Sequence, residues 1–385
     1  MRMDLVALAL GILLLSLVTW DLFETIVVPR PTPDRFRIGR YVVRLSWPAV
    51  RAIGRTRNGK THDTLLGLFA PAMTLALLVA WLAALILGYG LILFGLRDQL
   101  SPSPHDLGTT MYFAASSVLT LGYGDIVAVG AAARAVVVVA AVSGLGVVAL
   151  VVTFLFSLYG SYQRREVKVV TLQAAAGAPP SAVALLETYA QLDLVDRLPG
   201  FFMEWERWAA EVLDTHVAYP LLGFFRSSHD NLSWISALGT VLDAASLVLT
   251  TIERVPRGEA ELFERIGSHL VEDITNLGFR AGTTADPRAT SSRSDLDRDA
   301  FDGAYARLGD AGYVLAPGDA AWPAFEAARA GYAGRLNAMA AYWATPANSW
   351  LDTSSALTSL AHVAADVGSG DAILEVEASP EEEIR

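Results

Sequence analysis

The sequence predicts an all-α membrane protein, and three observations predict it. More than half of the residues (53%) are apolar and only 18% are charged. Three apolar runs, 5–28, 65–96 and 131–159, are each long enough to cross a hydrocarbon core of roughly 30 Å, which takes about 20 helical residues. Between the second and third runs lies a helix-forming segment too short to cross, followed by a loop rich in glycine.

The first run follows the basic Arg2, as a signal peptide would. Its apolar stretch is too long for one and no small-residue cleavage site follows, so residues 1–29 read as an uncleaved anchor helix. The next stretch, 30–63, is a basic linker. It carries Arg30, Arg35, Arg37, Arg40, Arg44, Arg51, Arg55, Arg57 and Lys60 against a single acid, Asp34, within residues 30–60. By the positive-inside rule this loop is cytoplasmic. The first run then leaves Met1 outside, the second runs outward, and the third returns to the basic stop Gln163-Arg164-Arg165 with the C-terminus cytoplasmic. Apolar residues such as Ile38, Tyr41, Val42, Leu45, Trp47 and Ile53 interleave with the arginines, which reads as an interfacial helix on anionic lipid headgroups. A voltage sensor would hold its arginines inside an apolar span, and 37–57 is too polar for that. Asp21 and Glu24 share a helix face near the inner end of the first run. They either contact the arginine loop or a neighbouring subunit, or sit at the interface within reach of water, which is the preferred reading.

The second and third runs enclose the informative stretch. Ser101-Pro102-Ser103-Pro104 is a turn, Asp106 stands at an N-cap position, and 107–118 follows as a helix of about 20 Å. Such a helix must enter the membrane and come back. Non-helical backbone survives at that depth only where protein buries it or water lines it. The residues after the helix are Thr120-Leu121-Gly122-Tyr123-Gly124-Asp125. A dehydrated cation needs several oxygens at fixed distance, and backbone carbonyls supply them if successive ones point to one side. That demands angles which glycine permits and larger residues disfavour. Gly122 and Gly124 alternate with Leu121 and Tyr123, whose side chains brace the strand, and Thr120 adds a hydroxyl at the inner end.

This hexapeptide resembles the potassium-channel signature Thr-Val-Gly-Tyr-Gly-Asp, with Leu121 in place of valine. The resemblance covers about residues 65–160. It implies the tetrameric potassium-channel pore fold (outer helix, pore helix, selectivity filter, inner helix), here with an extra N-terminal span. It implies a homotetramer, in which four loops replace the hydration shell of K⁺ by carbonyls. Thr120, Leu121, Gly122 and Tyr123 would offer those carbonyls, Thr120 its hydroxyl as well, and Gly124 the outer turn. Tyr112 and Phe113 match the pore-helix aromatics against which Tyr123 would pack, and Asp125 would brace the filter from behind. K⁺ is then the cargo, and no cofactor is expected. Ser117 and Leu119 stand where the family often has threonines, and Leu121 acts through its main chain, so a less selective cation channel is the nearest alternative. Family inner helices often bend at a glycine, and Gly144 and Gly146 are the hinge candidates here, with small-residue packing as the other reading. The pore domain spans 64–162.

The C-terminal half differs in charge. Residues 1–160 carry 12 Lys and Arg against 8 Asp and Glu, whereas residues 161–385 carry 17 against 32. An acidic half without a basic footprint excludes nucleic acid as a partner. Residues 163–280 read as a cytoplasmic helical domain, with helices over 181–196, 202–216, 231–254 and 259–277. A polar linker over 281–300, helices over 300–308 and 322–343 within 301–367, and an acidic disordered tail over 368–385 complete the chain. The alternating strands and Gly-x-Gly-x-x-Gly turn of a nucleotide-sensing domain are missing, and so are the short strands of a jelly roll. The aromatic stripe Phe201, Phe202, Trp205, Trp208, Phe224 and Phe225 reads as core. His216, His229 and His269 lack metal-ligand spacing. With no cysteine and no Ser-His-Asp pattern, enzyme chemistry has no support. The regulatory ligand of this domain is not legible, and a membrane-anchored sensor or scaffold with a silent pore is the alternative from another class. High alanine content and compact loops suggest a bacterial inner membrane.

Overall fold

The computed structural model of the chain describes residues 2–28, 38–55, 60–227, 232–279, 298–345 and 350–351. It is an all-α membrane protein in which, among the described residues, three helices are long and apolar enough to cross a bilayer. The first, α1 (Arg2–Leu22), ends in a π-helical turn, Phe23–Val27. After α2 (Ile38–Arg55) comes the second span, α3 (Lys60–Gly95). The short α4 (Leu107–Val118) follows, and then the third span, α5 (Ala131–Ala176).

Close backbone approach joins α1 to α3. A Cβ on Gly11 would stand 2.6 Å from the Gly88 carbonyl oxygen, so side chains are excluded where the two helices cross. Asp4 and Arg97 form an ion pair at one end of this contact. Towards the other end, the Trp81 Nε1–H donates to Asp21 Oδ2 at 2.7 Å. Asp21 and Glu24 are both buried. This corrects the water-facing placement expected for them: α1 lies against α3, and the polar face of its inner turn is turned into the bundle.

The longest element is α5. Its 46 residues extend about 69 Å at 1.5 Å per residue, more than twice the hydrocarbon thickness. It runs unbroken through the boundary expected at 162–163 and stops only at Gly177, whose φ of 78° no ordinary side chain favours. The C-terminal part of α5 is therefore a strut that carries a helical domain.

That domain is a helical cluster of α6 (Ala182–Gln191), α7 (Leu198–Ala218), α8 (Trp234–Thr250), α9 (Gly258–Phe279), α10 (Arg298–Asp310), α11 (Gly318–Ala330) and α12 (Ala333–Trp343). At its centre is α8. Ser233 caps it, accepting the Ser236 N–H at 2.9 Å. Every residue from Trp234 to Val248 is buried, as expected of a helix that is apolar on nearly all sides. Phe301, Leu308, Phe325 and Leu336 share this core, so 301–343 is not a separate segment. The expected helix over 322–343 is two helices, broken where Tyr332 turns inward to donate to Asp243 Oδ1 at 2.6 Å. Residues 298–300, expected in a linker, form the first turn of α10; 280–297 and the acidic tail lie outside the described residues. The chain also returns after α12, where the Trp350 carbonyl accepts the Ala182 N–H at 2.9 Å.

Candidate functional site

The site begins with a helix cap. Asp106 takes an extended conformation, and its Oδ1 accepts the Thr109 N–H at 2.9 Å while Oδ2 accepts the Thr109 hydroxyl at 2.7 Å. This satisfies donors that the first turn leaves open. The helix bounds are those the sequence predicts. At the other end the chain folds back on its own helix. The Thr120 N–H donates to the Ser117 carbonyl at 3.1 Å, and the Leu121 N–H to the Ser116 carbonyl at 2.8 Å. The carbonyl end of α4, which carries the negative end of the helix dipole, therefore adjoins the loop.

The loop has an alternating backbone. Thr120, Gly122 and Gly124 have φ of 55°, 62° and 81°, in the left-handed region, whereas Leu121 and Tyr123 between them do not. Alternation of hand turns successive N–H groups to one side of the chain and the carbonyls to the other. A row of carbonyls on one side is a cation ligand set. The glycines accept this at little cost, but Thr120 is β-branched and strained there. Nothing in residue type signals a left-handed Thr120, so the sequence reading located the conformational requirement only at the glycines.

Side chains around the loop divide. The Tyr123 ring stacks on Tyr112, with centroids 6.2 Å apart and planes 4° from parallel. The Tyr112 hydroxyl also interacts with the Asp125 carboxylate. Phe113, expected beside Tyr123, faces the other way and is buried in the core that includes Val18, Trp81 and Leu85. It anchors α4 to the outer helices. Leu121 and Tyr123 are 52% and 65% exposed in the single chain.

Behind the loop, a two-residue antiparallel ladder pairs β1 (Leu100–Ser101) with β2 (Val127–Ala128). Gln99 extends it: its carbonyl accepts the Val129 and Gly130 N–H groups, and its side chain accepts the Ala133 N–H at 3.2 Å. Gln99 thus caps α5 from a distance. The hinge candidates separate as well. Gly144 lies against the last turn of α4, where a Cβ would overlap the Val118 carbonyl oxygen, whereas a Cβ on Gly146 would meet nothing. Both lie in unbroken helix.

Two joints link the spans to the C-terminal helical domain, and the sequence reading singled out neither. At the first, Trp47 of α2 sits 4.9 Å from Phe69 of α3 and 5.0 Å from Phe224 between ring centroids, and its Nε1–H donates to the Tyr342 carbonyl at 3.1 Å. At the second, Arg165 of α5 is buried. Its guanidinium pairs with Glu166 at 3.0 Å, donates to the Leu222 and Phe225 carbonyls at 3.0 and 2.8 Å, and approaches His216 Nε2 at 3.2 Å. Arginine has no acceptor, so His216 Nε2 must present its lone pair and Nδ1–H must donate to the Val212 carbonyl at 2.8 Å. Burial and the adjacent Arg165 charge hold His216 down at about 3, so it stays neutral. Among the described residues no cluster of His, Asp or Glu has the makings of a metal site. Arg37, Arg57 and His229 lie outside the described residues.

Residues 66–160, from α3 through α4 to the upper part of α5, match a protein family described as an ion channel. The match supports a channel function for this part of the chain, and it takes in the loop between the two spans. No curated protein and no solved structure matches the chain.

Proposed function

We propose that the chain is one subunit of a potassium-selective channel, in which four copies bring residues 120–124 around a common axis. One observation carries the reading: left-handed φ at Thr120, Gly122 and Gly124 alternates with ordinary φ at Leu121 and Tyr123, on a loop held between two spans. The carbonyls of Thr120, Leu121, Gly122 and Tyr123 then replace the water around K⁺, and Gly124 makes the outer turn. Tyr112 and Asp125 brace the loop from behind. The exposed sides of Leu121 and Tyr123 are covered by adjacent subunits.

In this reading the membrane is the cell membrane, the N-terminus is outside and the cytoplasmic domain hangs from α5. α2 lies on the inner leaflet, beside anionic headgroups. Leu45 and Ile53, 77% and 52% exposed, are the apolar side chains such a helix would sink into the interface. Trp47 and Arg165 tie the domain to the inner ends of the outer and inner helices, so a ligand of that domain would act on both.

The test is ion flux through the purified protein in liposomes, for the wild type and for Gly122→Ala. A methyl group at a φ of 62° costs about 1–2 kcal/mol and disturbs the carbonyl row. K⁺ flux is expected in the wild type, with a reversal potential that follows K⁺ over Na⁺, and is expected to vanish in the variant while the assembly keeps its mass. Undiminished selective flux in Gly122→Ala would remove the site assignment. A wild-type reversal potential indifferent to the choice of K⁺ or Na⁺ would indicate a weakly selective cation channel, and a silent wild type an anchored scaffold.

A further inference from the structure

Three successive residues of α3, Gly88, Tyr89 and Gly90, face three different helices. Neighbouring residues of a helix point about 100° apart, so three in a row fan over roughly half its circumference. Gly88 lies against α1, where a Cβ would stand 2.6 Å from Leu15 Cδ2. Gly90 lies against α4, where a Cβ would stand 3.0 Å from Met111 Cγ. Tyr89, between them, is buried and brings its hydroxyl to 2.7 Å from Ser143 Oγ on α5.

The direction of that hydrogen bond follows from its surroundings. Ser143 has one hydroxyl proton, and its Oγ also lies 2.7 Å from the Val139 carbonyl, which can only accept. Ser143 therefore donates to Val139, and Tyr89 donates to Ser143. Within a hydrocarbon core no water competes for such a hydroxyl. The next residue of α5 is Gly144, which lies against the Val118 carbonyl at the end of α4. Three contacts thus close a triangle of α3, α4 and α5. Those at Gly90 and Gly144 are close approaches of small residues, along which one helix can slide on another. The third is a hydrogen bond, which holds only over a narrow range of distance and angle. It fixes the height of α5 against the end of α4, two residues before Thr120.

We propose that the first span is part of the support of the ion-binding loop, and that Tyr89 is the positioning residue that connects the two. α1 sets α3 where Gly11 crosses Gly88, and α3 sets α5 through Tyr89 and α4 through Gly90. The last turn of α4 then holds Thr120 and Leu121 through the Ser117 and Ser116 carbonyls. This rests on the channel reading and adds to it a role for α1, which lies outside the matched residues 66–160.

The readout is the ratio of K⁺ to Na⁺ permeability, taken from reversal potentials of the full-length protein in liposomes. This ratio belongs to each conducting pore and does not change when fewer assemblies form. Tyr89→Phe keeps the ring and removes the hydroxyl. The ratio is expected to fall severalfold, with about tenfold as the ceiling set by the worth of one hydrogen bond. Ser143→Ala is expected to match it, and Ser143→Thr, which keeps the hydroxyl, to stay at the wild-type ratio. Gly11→Ala sets a methyl group against the Gly88 carbonyl and is expected to lower the ratio as well. An unchanged ratio in Tyr89→Phe or in Gly11→Ala, at an unchanged four-copy native mass, would overturn the proposal and leave the channel reading standing. Should either variant fail to assemble, Ser143→Ala takes the place of the first and Leu15→Ala, which loosens the same crossing, that of the second, with the same expectations. A wild type indifferent to K⁺ and Na⁺ would remove the channel reading and this proposal with it.

Discussion

The membrane half and the C-terminal helical domain bury their polar groups in different ways. Between the spans, buried polar side chains meet in isolated pairs: Trp81 with Asp21, and Tyr89 with Ser143 at 2.7 Å. Inside the helical domain they form networks that join several helices. Asp243 of α8 receives Arg329 from α11 and the Tyr332 hydroxyl, and Tyr332 in turn contacts Ser246 at 3.1 Å. Glu187 of α6 pairs with Arg307 of α10. The difference teaches where specification resides. Spans are placed by an apolar solvent, whereas the helices that share one core in the domain are joined by polar pairs across the chain. Arg165 stands where the two regimes meet, a buried cation that belongs to α5 and is satisfied by the domain.

The sharpest way to break this comparison is to remove the carboxylate at the centre of the domain. Asp243 is wholly buried, and burial pushes its carboxyl above the usual range even though Arg329 and Tyr332 pull the other way. Asp243→Ala leaves the Arg329 charge inside without its carboxylate. A loss of about 3–5 kcal/mol is expected, as for other buried pairs broken from one side. Thermal unfolding of the intact protein should show the domain melting early. A shift worth less than about 1 kcal/mol would mean that apolar packing alone specifies the domain.

The same contrast explains what could be read in advance. The bounds of α4, its Asp106 cap and the position of the loop were legible because each follows from residues adjacent in sequence and from the bilayer as solvent. The strand pair β1–β2 and the Gln99 cap of α5 were not, since their partners lie about thirty residues apart and two-residue strands carry no periodicity. Tyr112 and Phe113 are both aromatic, and residue type does not tell which of the two stacks on Tyr123 within one chain; it is Tyr112. In the domain, helices were recognised but their grouping was not: α10–α12 return to the α6–α9 core across a polar stretch that reads as a boundary. Arg165 read as a basic stop to the span, since a stop signal and a buried anchor have the same residue type.

A smaller effect tests the joint itself. His216 titrates at about 3 in the folded chain against an ordinary value of 6.5, lowered by burial and then by Arg165. Between those values the unfolded chain binds a proton that the folded chain refuses. Stability therefore falls as pH drops below about 6.5, by up to about 1.4 kcal/mol per pH unit from this one group. From pH 6.5 to pH 5 the loss is about 1.6 kcal/mol. Gln in place of His216 should flatten that part of the stability–pH curve, read by denaturant unfolding at each pH. An equally steep curve in His216→Gln would show that Arg165 does not hold the ring neutral, and the joint would then be looser than its geometry indicates.

The smallest expected effect lies in the membrane half, and it asks whether local signals there act one at a time. Asp106 caps α4 through one backbone N–H and one hydroxyl of Thr109. Its carboxyl is held low chiefly by those two contacts, and it is exposed, so charge contributes little beyond them. Asp106→Ala should lower the stability of α4, as loss of an N-cap does elsewhere. Asp106→Asn keeps an acceptor oxygen and should cost only a fraction of that. If both substitutions lowered stability equally, the helix would depend on negative charge at its N-terminus and not on the cap. If neither did, α4 would be held by its buried face alone, through Phe113 against the outer helices and Val118 against Gly144. The membrane half would then resemble the domain after all, in being fixed by contacts distant in sequence.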